Sequence, residues 1–533
     1  NNNNLNEYFQ RKIMNLSTLD ISVFVFYVIA LIAIAYMVSR EKVGHEKNSN
    51  DYFLAGNSLP WWAVGASLIA ANISAEQIIG MSGSGYKIGL AIASYEWMAA
   101  ITLMIVGKYF LPIFLEKKIY TMPQFLEQRF DHRVRTVMAV FWLGVYVFVN
   151  LTAILWLGAL AINTITGVDV VYGMIFLGGF SVAYSLYGGL KAVAFTDIIQ
   201  VVLLVLGGLF LSYIALDLIG EGQGLIAGFN NLVAQAPEKF DMILAKDSEH
   251  YMDLPGLSVL VGGMWIMNLS YWGFNQYIIQ RTLGAKSLRE GQKGIAFAAF
   301  LKLLMPVIVV LPGIAAVLLV PDLQRPDQAY PALLNMMPEG LKGLVFAALV
   351  AAIVSSLASM TNSIATIFTM DLYKNEEKPR SEEHYVKVGR IVSLGALVIA
   401  MIVAKPLLGQ FDQAFQYIQE FTGFFTPGIV VLFFLGMFWK KTTANGGLVA
   451  AVGSAVLSFA LKMLWPELPF MDRVGLVFVL CMVLAVVVSL IEKKGEHDNA
   501  VDLKGMDFST SKGFNFSTVA VSLILVGFYS AWW

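Results

Sequence analysis

The sequence predicts an all-α integral membrane protein with fourteen transmembrane helices, and three observations carry that reading. Of the 533 residues, 57% are hydrophobic and 14% are charged, against roughly 25% charged in a typical soluble domain. Apolar stretches of about 20 residues, the length that crosses a bilayer, recur along the whole chain. Lys and Arg collect in alternate loops, as the positive-inside rule demands of cytoplasmic segments.

Taken in order, the opening NNNNLNEYFQRKI (1–13) is polar and reads as an expression remnant or disordered tail. Spans then fall at approximately 20–39, 60–85, 87–113, 134–163, 168–187, 192–219, 255–283, 295–320, 341–373, 385–404, 411–439, 446–465, 472–492 and 514–533. One set of loops holds Arg40, Lys117, Lys118, Arg133, Lys191, Lys286, Lys374, Lys440 and Lys493. The alternate loops are short or acidic, with Asp169, Glu238, Asp247 and Asp322. Placing the basic set inside puts both termini outside. A net charge of −1 without a basic stripe excludes nucleic acid as a partner. The single cysteine, Cys481, allows no intrachain disulfide, and the five histidines fall in expected loops, away from any metal centre in the membrane. No nucleophile motif suggests an enzyme, and no obligate protein partner is evident.

Two spans are interrupted by polar residues. LIAANISAEQIIGMSGSG (68–85) places Asn72, Ser74, Glu76 and Gln77 within six residues, and GLSVLVGGMWIMNLSYWGFNQYIIQR (256–281) carries Asn268, Ser270, Asn275 and Gln276 around Gly273. They sit five spans apart, at matching positions of two blocks, 60–219 and 255–439. Inverted repeats with broken helices at midplane sites are a hallmark of secondary transporters. Close helix packing through glycine is the alternative reading of each interruption. On this reading the glycines permit the first break, and its freed carbonyls face an ion.

Other polar residues stand at membrane depth. Glu96 lies about 14 Å into its span, too deep for a glutamate to reach water, and needs a ligand or a salt-bridge partner. Lys302 lies about 10 Å from its helix end, where function and snorkelling are both open. Gln419 sits among aromatic residues in AFQYIQEFTG (414–423), and AAIVSSLASM (351–360) sets Ser355, Ser356 and Ser359 on one helix. Such serines also serve as packing residues.

These stretches, with YGGLKAVAFTDIIQ (187–200) and NQYIIQRTL (275–283), resemble the sodium:solute symporter family over 20–533, in its sodium–glucose branch. The resemblance implies a leucine-transporter-like fold: an extra helix at 20–39, two inverted five-helix repeats, and three peripheral helices over 446–533. It implies sodium-coupled import of a hexose across a bacterial inner membrane, with sugar and sodium as ligands and lipid as surroundings. Sialic acid, inositol or an amino acid is the alternative substrate, and a non-transporting membrane sensor the alternative class. Gln77, Glu96, Asn268, Lys302 and Gln419 match positions that bond sugar hydroxyls; Tyr271 matches an inner cover, and Phe415 and Met81 an outer one. Ala99 stands where a serine would lie near the sugar. Ser355 and Ser356, with the carbonyls of Ala70, Ile73 and Ala352, match the sodium ligands. Asp197 either guides departing sodium or is a solvated interfacial aspartate. Ala358 replaces a hydroxyl expected at a second sodium site, so one ion per sugar is expected.

Overall fold

The computed structural model describes residues 16–40, 44–46, 48–409 and 413–533, without the side chains of residues 39, 184–193 and 277. The tail expected at 1–13 lies outside the described residues. Those that are described form helices joined by short loops, with one isolated parallel bridge, Leu59 to Ala285. Among the described residues, ten helices are long and apolar enough to cross a membrane, or twelve if two bent pairs each count as one span. This establishes a multi-pass membrane protein.

Three expected spans look different in the structure. The pair at 168–187 and 192–219 forms one helical run, Val170–Ile219, with no intervening loop. The span at 255–283 is divided into Leu257–Val261, Gly263–Gly273 and Gln276–Leu283, each too short to cross alone. His132 and His384 open helices where loops were expected, because Asp131 caps the Val134 amide and Ser381 the His384 amide. No cluster of metal-ligating side chains occurs among the described residues.

Burial separates a centre from a rim. The apolar window of Leu341–Tyr373 is 94% buried, whereas those of Thr18–Val38 and Lys512–Ala531 are 17% buried. The central helix is rich in Ala and Ser, whose small side chains let neighbouring helices approach closely. The rim helices instead turn Phe26, Ile29, Phe516 and Leu523 outward, as a lipid-facing surface requires. Asp20 fastens rim to centre: it caps its own helix through Ser17 and accepts from the amides of Gly340 and Gly343, at 2.7 and 2.8 Å. A Cβ at Gly343 would lie 2.5 Å from the Asp20 Cα, so that approach requires glycine.

Ala414–Thr422 and Thr426–Phe438 meet at 45°. At the far end of the second arm, buried Arg129 donates to the carbonyls of Gly436, Trp439 and Thr442 at 2.8, 3.0 and 3.2 Å. Unpaired carbonyls end every helix, and here one guanidinium satisfies several at once.

Candidate functional site

The first broken helix runs Trp61–Asn72, then Glu76–Lys87, at 57° to each other. Ile73 leaves the helix at ψ 74°, and the Ser74 hydroxyl accepts from the Glu76 amide at 3.2 Å, capping the second half. No glycine lies at this break. Gly80, Gly83 and Gly85 fall within helical segments, where they admit neighbours: a Cβ at Gly80 would stand 3.2 Å from the Phe415 Cβ. The expectation that these glycines permit the break is therefore corrected; a serine cap permits it, and the glycines serve packing.

The two broken helices face one another across a small cavity lined by Asn72, Gln77, Glu96, Asn268, Tyr271 and Gln419, among others. Its free volume is about 40 Å³, and its walls bond each other across it. Lys302 Nζ donates to Glu96 Oε2 at 2.5 Å and also to Asn72 Oδ1. Asn72 Nδ2 in turn donates to the Tyr271 hydroxyl at 2.8 Å. Glu96 thus has the salt-bridge partner that burial demands. The helix bearing Lys302 begins at Leu288, fourteen residues or about 21 Å away. Lys302 is fully buried, so snorkelling is excluded.

Two acceptors on the cavity wall remain unspent: Gln77 Oε1 and the Tyr95 hydroxyl are buried without hydrogen-bond partners among the described residues. Such groups are costly to leave unbonded, and they mark where a polar ligand would bond. Phe415 covers the cavity and meets Tyr95 edge-on at 5.1 Å between ring centres. Met81 is buried on the same helical turn as Gly80 but does not line the cavity. Asn268 donates to the Met264 carbonyl at 3.2 Å, one turn back in its own helix. Beside these expected residues stand four that sequence reasoning did not assign to a site: Asn72, Tyr95, Met267 and Trp272, whose ring lies 4.8 Å from the Lys302 ammonium.

A second cluster lies on the other side of the first break. Ser356 Oγ donates to the Ala71 carbonyl at 2.8 Å and approaches that of Ala70 at 3.4 Å. Ser355 donates to Asp197, which also pairs with Arg281 at 3.8 Å, and Arg281 donates to Ser359. Ala352 and Ile73 are buried on the same two helices. Asp197 is fully buried, so the solvated interfacial reading is overturned. Carbonyls, hydroxyls and a carboxylate converge here, the all-oxygen set that a hard monovalent cation prefers. Glu420 belongs to neither cluster; it pairs outward with Lys462 and Arg473, at 2.8 and 3.3 Å.

The family model of the sodium:solute symporters matches residues 52–453. The chain belongs to the sodium:solute symporter family. It is 52% identical over 97% of its length to the sodium/glucose cotransporter of Vibrio parahaemolyticus, 99% of which is covered. It is 34% identical to the human sodium/myo-inositol cotransporter 2, over 82% of this chain and 69% of that one. Among solved structures, a Na+-coupled sialic acid symporter in a substrate-bound outward-open state shares the fold, with a TM-score of 0.77 and 23% identity over 90% of this chain and 98% of that one. A nucleobase-cation-symport-1 family transporter in a closed conformation matches at a TM-score of 0.52 and 15% identity, over 89% and 99% of the two chains. This symporter is a transporter and not an enzyme.

Proposed function

We propose that this symporter imports a hexose, glucose or galactose, driven by sodium and alternating access. One observation carries the reading: the two clusters meet within the first broken helix. Ala71, whose carbonyl receives Ser356, directly precedes Asn72, which bonds Lys302 and Tyr271 at the cavity. An ion pulling on the Ala70 and Ala71 carbonyls therefore moves the backbone that positions the substrate site. In this reading Gln77, Glu96, Asn268, Lys302 and Gln419 bond sugar hydroxyls. Tyr271 closes the site toward the cytoplasm, and Phe415 and Met81 close it toward the outside. Ser355 and Ser356 hold sodium with the carbonyls of Ala70, Ile73 and Ala352, and Asp197 receives the ion on its way inward.

The proposed architecture has fourteen crossings, with inverted repeats at 60–219 and 255–439, a helix at 20–39 before them and three after, over 446–533. Both termini would face the periplasm of a bacterial inner membrane. The 52% identity to a sodium/glucose cotransporter supports the hexose, as does the neutralised Glu96–Lys302 pair, which suits an uncharged polyol. Myo-inositol is the second reading, supported by the human relative. Ala358 supports a stoichiometry of one sodium per sugar. A tenfold sodium gradient supplies about 1.4 kcal/mol and 100 mV about 2.3 kcal/mol per charge. Together they sustain accumulation of roughly a few hundredfold.

Proteoliposomes loaded with unlabelled galactose should take up labelled galactose by counterflow, with one charge per sugar in the electrogenic direction. Exchange of labelled myo-inositol in its place would move the substrate to the second reading. An absence of exchange for either would overturn transport of a polyol, and two charges per sugar would overturn the single ion.

A further inference from the structure

We propose that the protein also binds a phosphate-bearing anion, in a cavity separate from the central site. It opens where the loop after Leu111–Glu116 meets the turn between Gln276–Leu283 and Leu288–Ile308. The cavity measures about 470 Å³, far more than the 40 Å³ between the broken helices. That it faces the cytoplasm rests on the orientation proposed above; that it binds an anion does not.

Lys118 and Lys286 stand exposed on its rim, with no carboxylate within 4 Å of either ammonium among the described residues. The neighbouring acids are already engaged. Asp51 accepts from His45 and the Asn48 amide, at 2.6 and 3.2 Å. Glu382 accepts from the Ser49 amide at 3.0 Å and from its hydroxyl, and Glu290 is turned to the Trp61 amide at 2.7 Å. Two cations thus border the cavity, while the carboxylates of Asp51 and Glu382, near enough to act on Tyr120 in its wall, are turned to other partners. Ser287, which caps Leu288–Ile308 through the Glu290 amide, sets that helix's amino end at the cavity wall. The helix dipole favours an anion there.

The polar wall is held in place. Asn50 Nδ2 donates to Asn57 Oδ1 at 2.9 Å, and Asn57 Nδ2 to the Leu283 carbonyl at 2.8 Å. Backbone strain gathers at the same spot. Asn57 and Lys118, at φ 52° and 51°, line the cavity, and Ala55, at φ 53°, adjoins it; they are three of the five non-glycine residues with positive φ among the described residues. Strain of this kind persists where the surroundings enforce it, and it concentrates at ligand sites. Lysines act as point charges toward phosphate. Leu54, Phe114 and Leu288 add an apolar wall, which suits the ester side of a phosphodiester as well as a soluble phosphomonoester.

The test uses the full chain in neutral detergent at constant ionic strength, in two arms. One titrates inorganic phosphate; the other dopes the micelles with phosphatidylglycerol against phosphatidylcholine. Thermal midpoint and retained lipid by native mass spectrometry are the readouts. A rise with phosphatidylglycerol alone assigns a lipid headgroup, a rise with phosphate alone assigns a soluble ligand, and both together assign the shared phosphate chemistry. In each case Lys118→Gln/Lys286→Gln should weaken binding about tenfold or more, while Lys118→Arg/Lys286→Arg keeps it. No response in either arm overturns the proposal. So does a glutamine pair that responds like the unsubstituted protein, or an arginine pair that loses as much as the glutamine pair. Binding is read without transport, so neither this result nor the counterflow result decides the other.

Discussion

At the first break, the Ala70 and Ala71 carbonyls meet the hydroxyl of Ser356. At the second, the Gln276 amide donates to the Tyr146 hydroxyl at 2.8 Å, and that hydroxyl donates to Asn275. Gln276 continues the pattern, accepting from the Met122 amide at 2.7 Å and donating to the Tyr120 carbonyl at 3.1 Å. A serine opposite two carbonyls can turn its proton aside and join them around a cation. A tyrosine wedged between an amide and an asparagine has spent both roles. On the proposed reading, the first interruption thus serves a ligand, whereas the second closes on protein.

The largest effect is expected where the first break meets its salt bridge. Glu96→Ala strands Lys302 as an unpaired buried charge, which costs about 3–5 kcal/mol and should lower the thermal midpoint sharply along with uptake. Glu96→Ala/Lys302→Met should recover the midpoint but not the uptake. If the single variant stays as stable as the unsubstituted protein, the pair does not brace this break.

A crossed pair sharpens the contrast directly. Ser356→Ala should raise the sodium concentration for half-maximal uptake about tenfold or more, since a methyl group offers no oxygen, and leave the sodium-free midpoint nearly unchanged. Tyr146→Phe should do the reverse, losing about 1–3 kcal/mol of stability with the Gln276 amide unbonded while sodium dependence holds. Were the two outcomes exchanged, the distinction between a ligand-facing and a protein-filled gap would collapse.

A moderate effect is expected on the cavity wall. Gln419→Ala should weaken sugar binding by about 1–3 kcal/mol without moving sodium affinity measured in the absence of sugar; a change confined to sodium would remove it from the sugar site. The smallest concerns Tyr271→Phe, which loses the bond from Asn72, about 0.5–1.5 kcal/mol, but keeps the ring. Tyr271→Ala should impair binding more, and equal impairment would show that the hydroxyl, not the ring, closes the site.

Much of this was legible because burying a polar group in hydrocarbon is expensive: Gln77, Glu96 and Gln419 stand out against any apolar background and do line one cavity. Tyr95 and Trp272 did not stand out, since buried aromatics are ordinary in helical cores, and only their neighbours reveal them. The two readings of Asp197 stayed open in the sequence because its partners, Arg281 and Ser355, are distant along the chain, and only its burial removes the solvated one. Lys302 was misplaced by a helix boundary: the polar turn at Leu288–Lys293 hid the true start of its helix. The division of Gly263–Gly273 from Gln276–Leu283 was visible in composition, but which break held free carbonyls was not, because that depends on Ser356 and Tyr146 arriving from elsewhere.

The bent helix near Phe415 has a mechanical consequence. Arg129 clamps the far end of Thr426–Phe438 through three carbonyls, so that arm behaves as a fixed post. Ala414–Thr422, which carries both Phe415 and Gln419, is the shorter arm, about 13 Å long, and side chains hold it: Asp327 at the Ala414 amide, Lys462 and Arg473 at Glu420. A rotation of about 15° at Gly423 would shift its tip by about 3 Å, roughly the thickness of an aromatic ring. On the proposed site roles, one elbow would therefore lift the outer cover and withdraw a substrate-bonding amide in a single stroke, so that unlatching and release would need no separate moving parts.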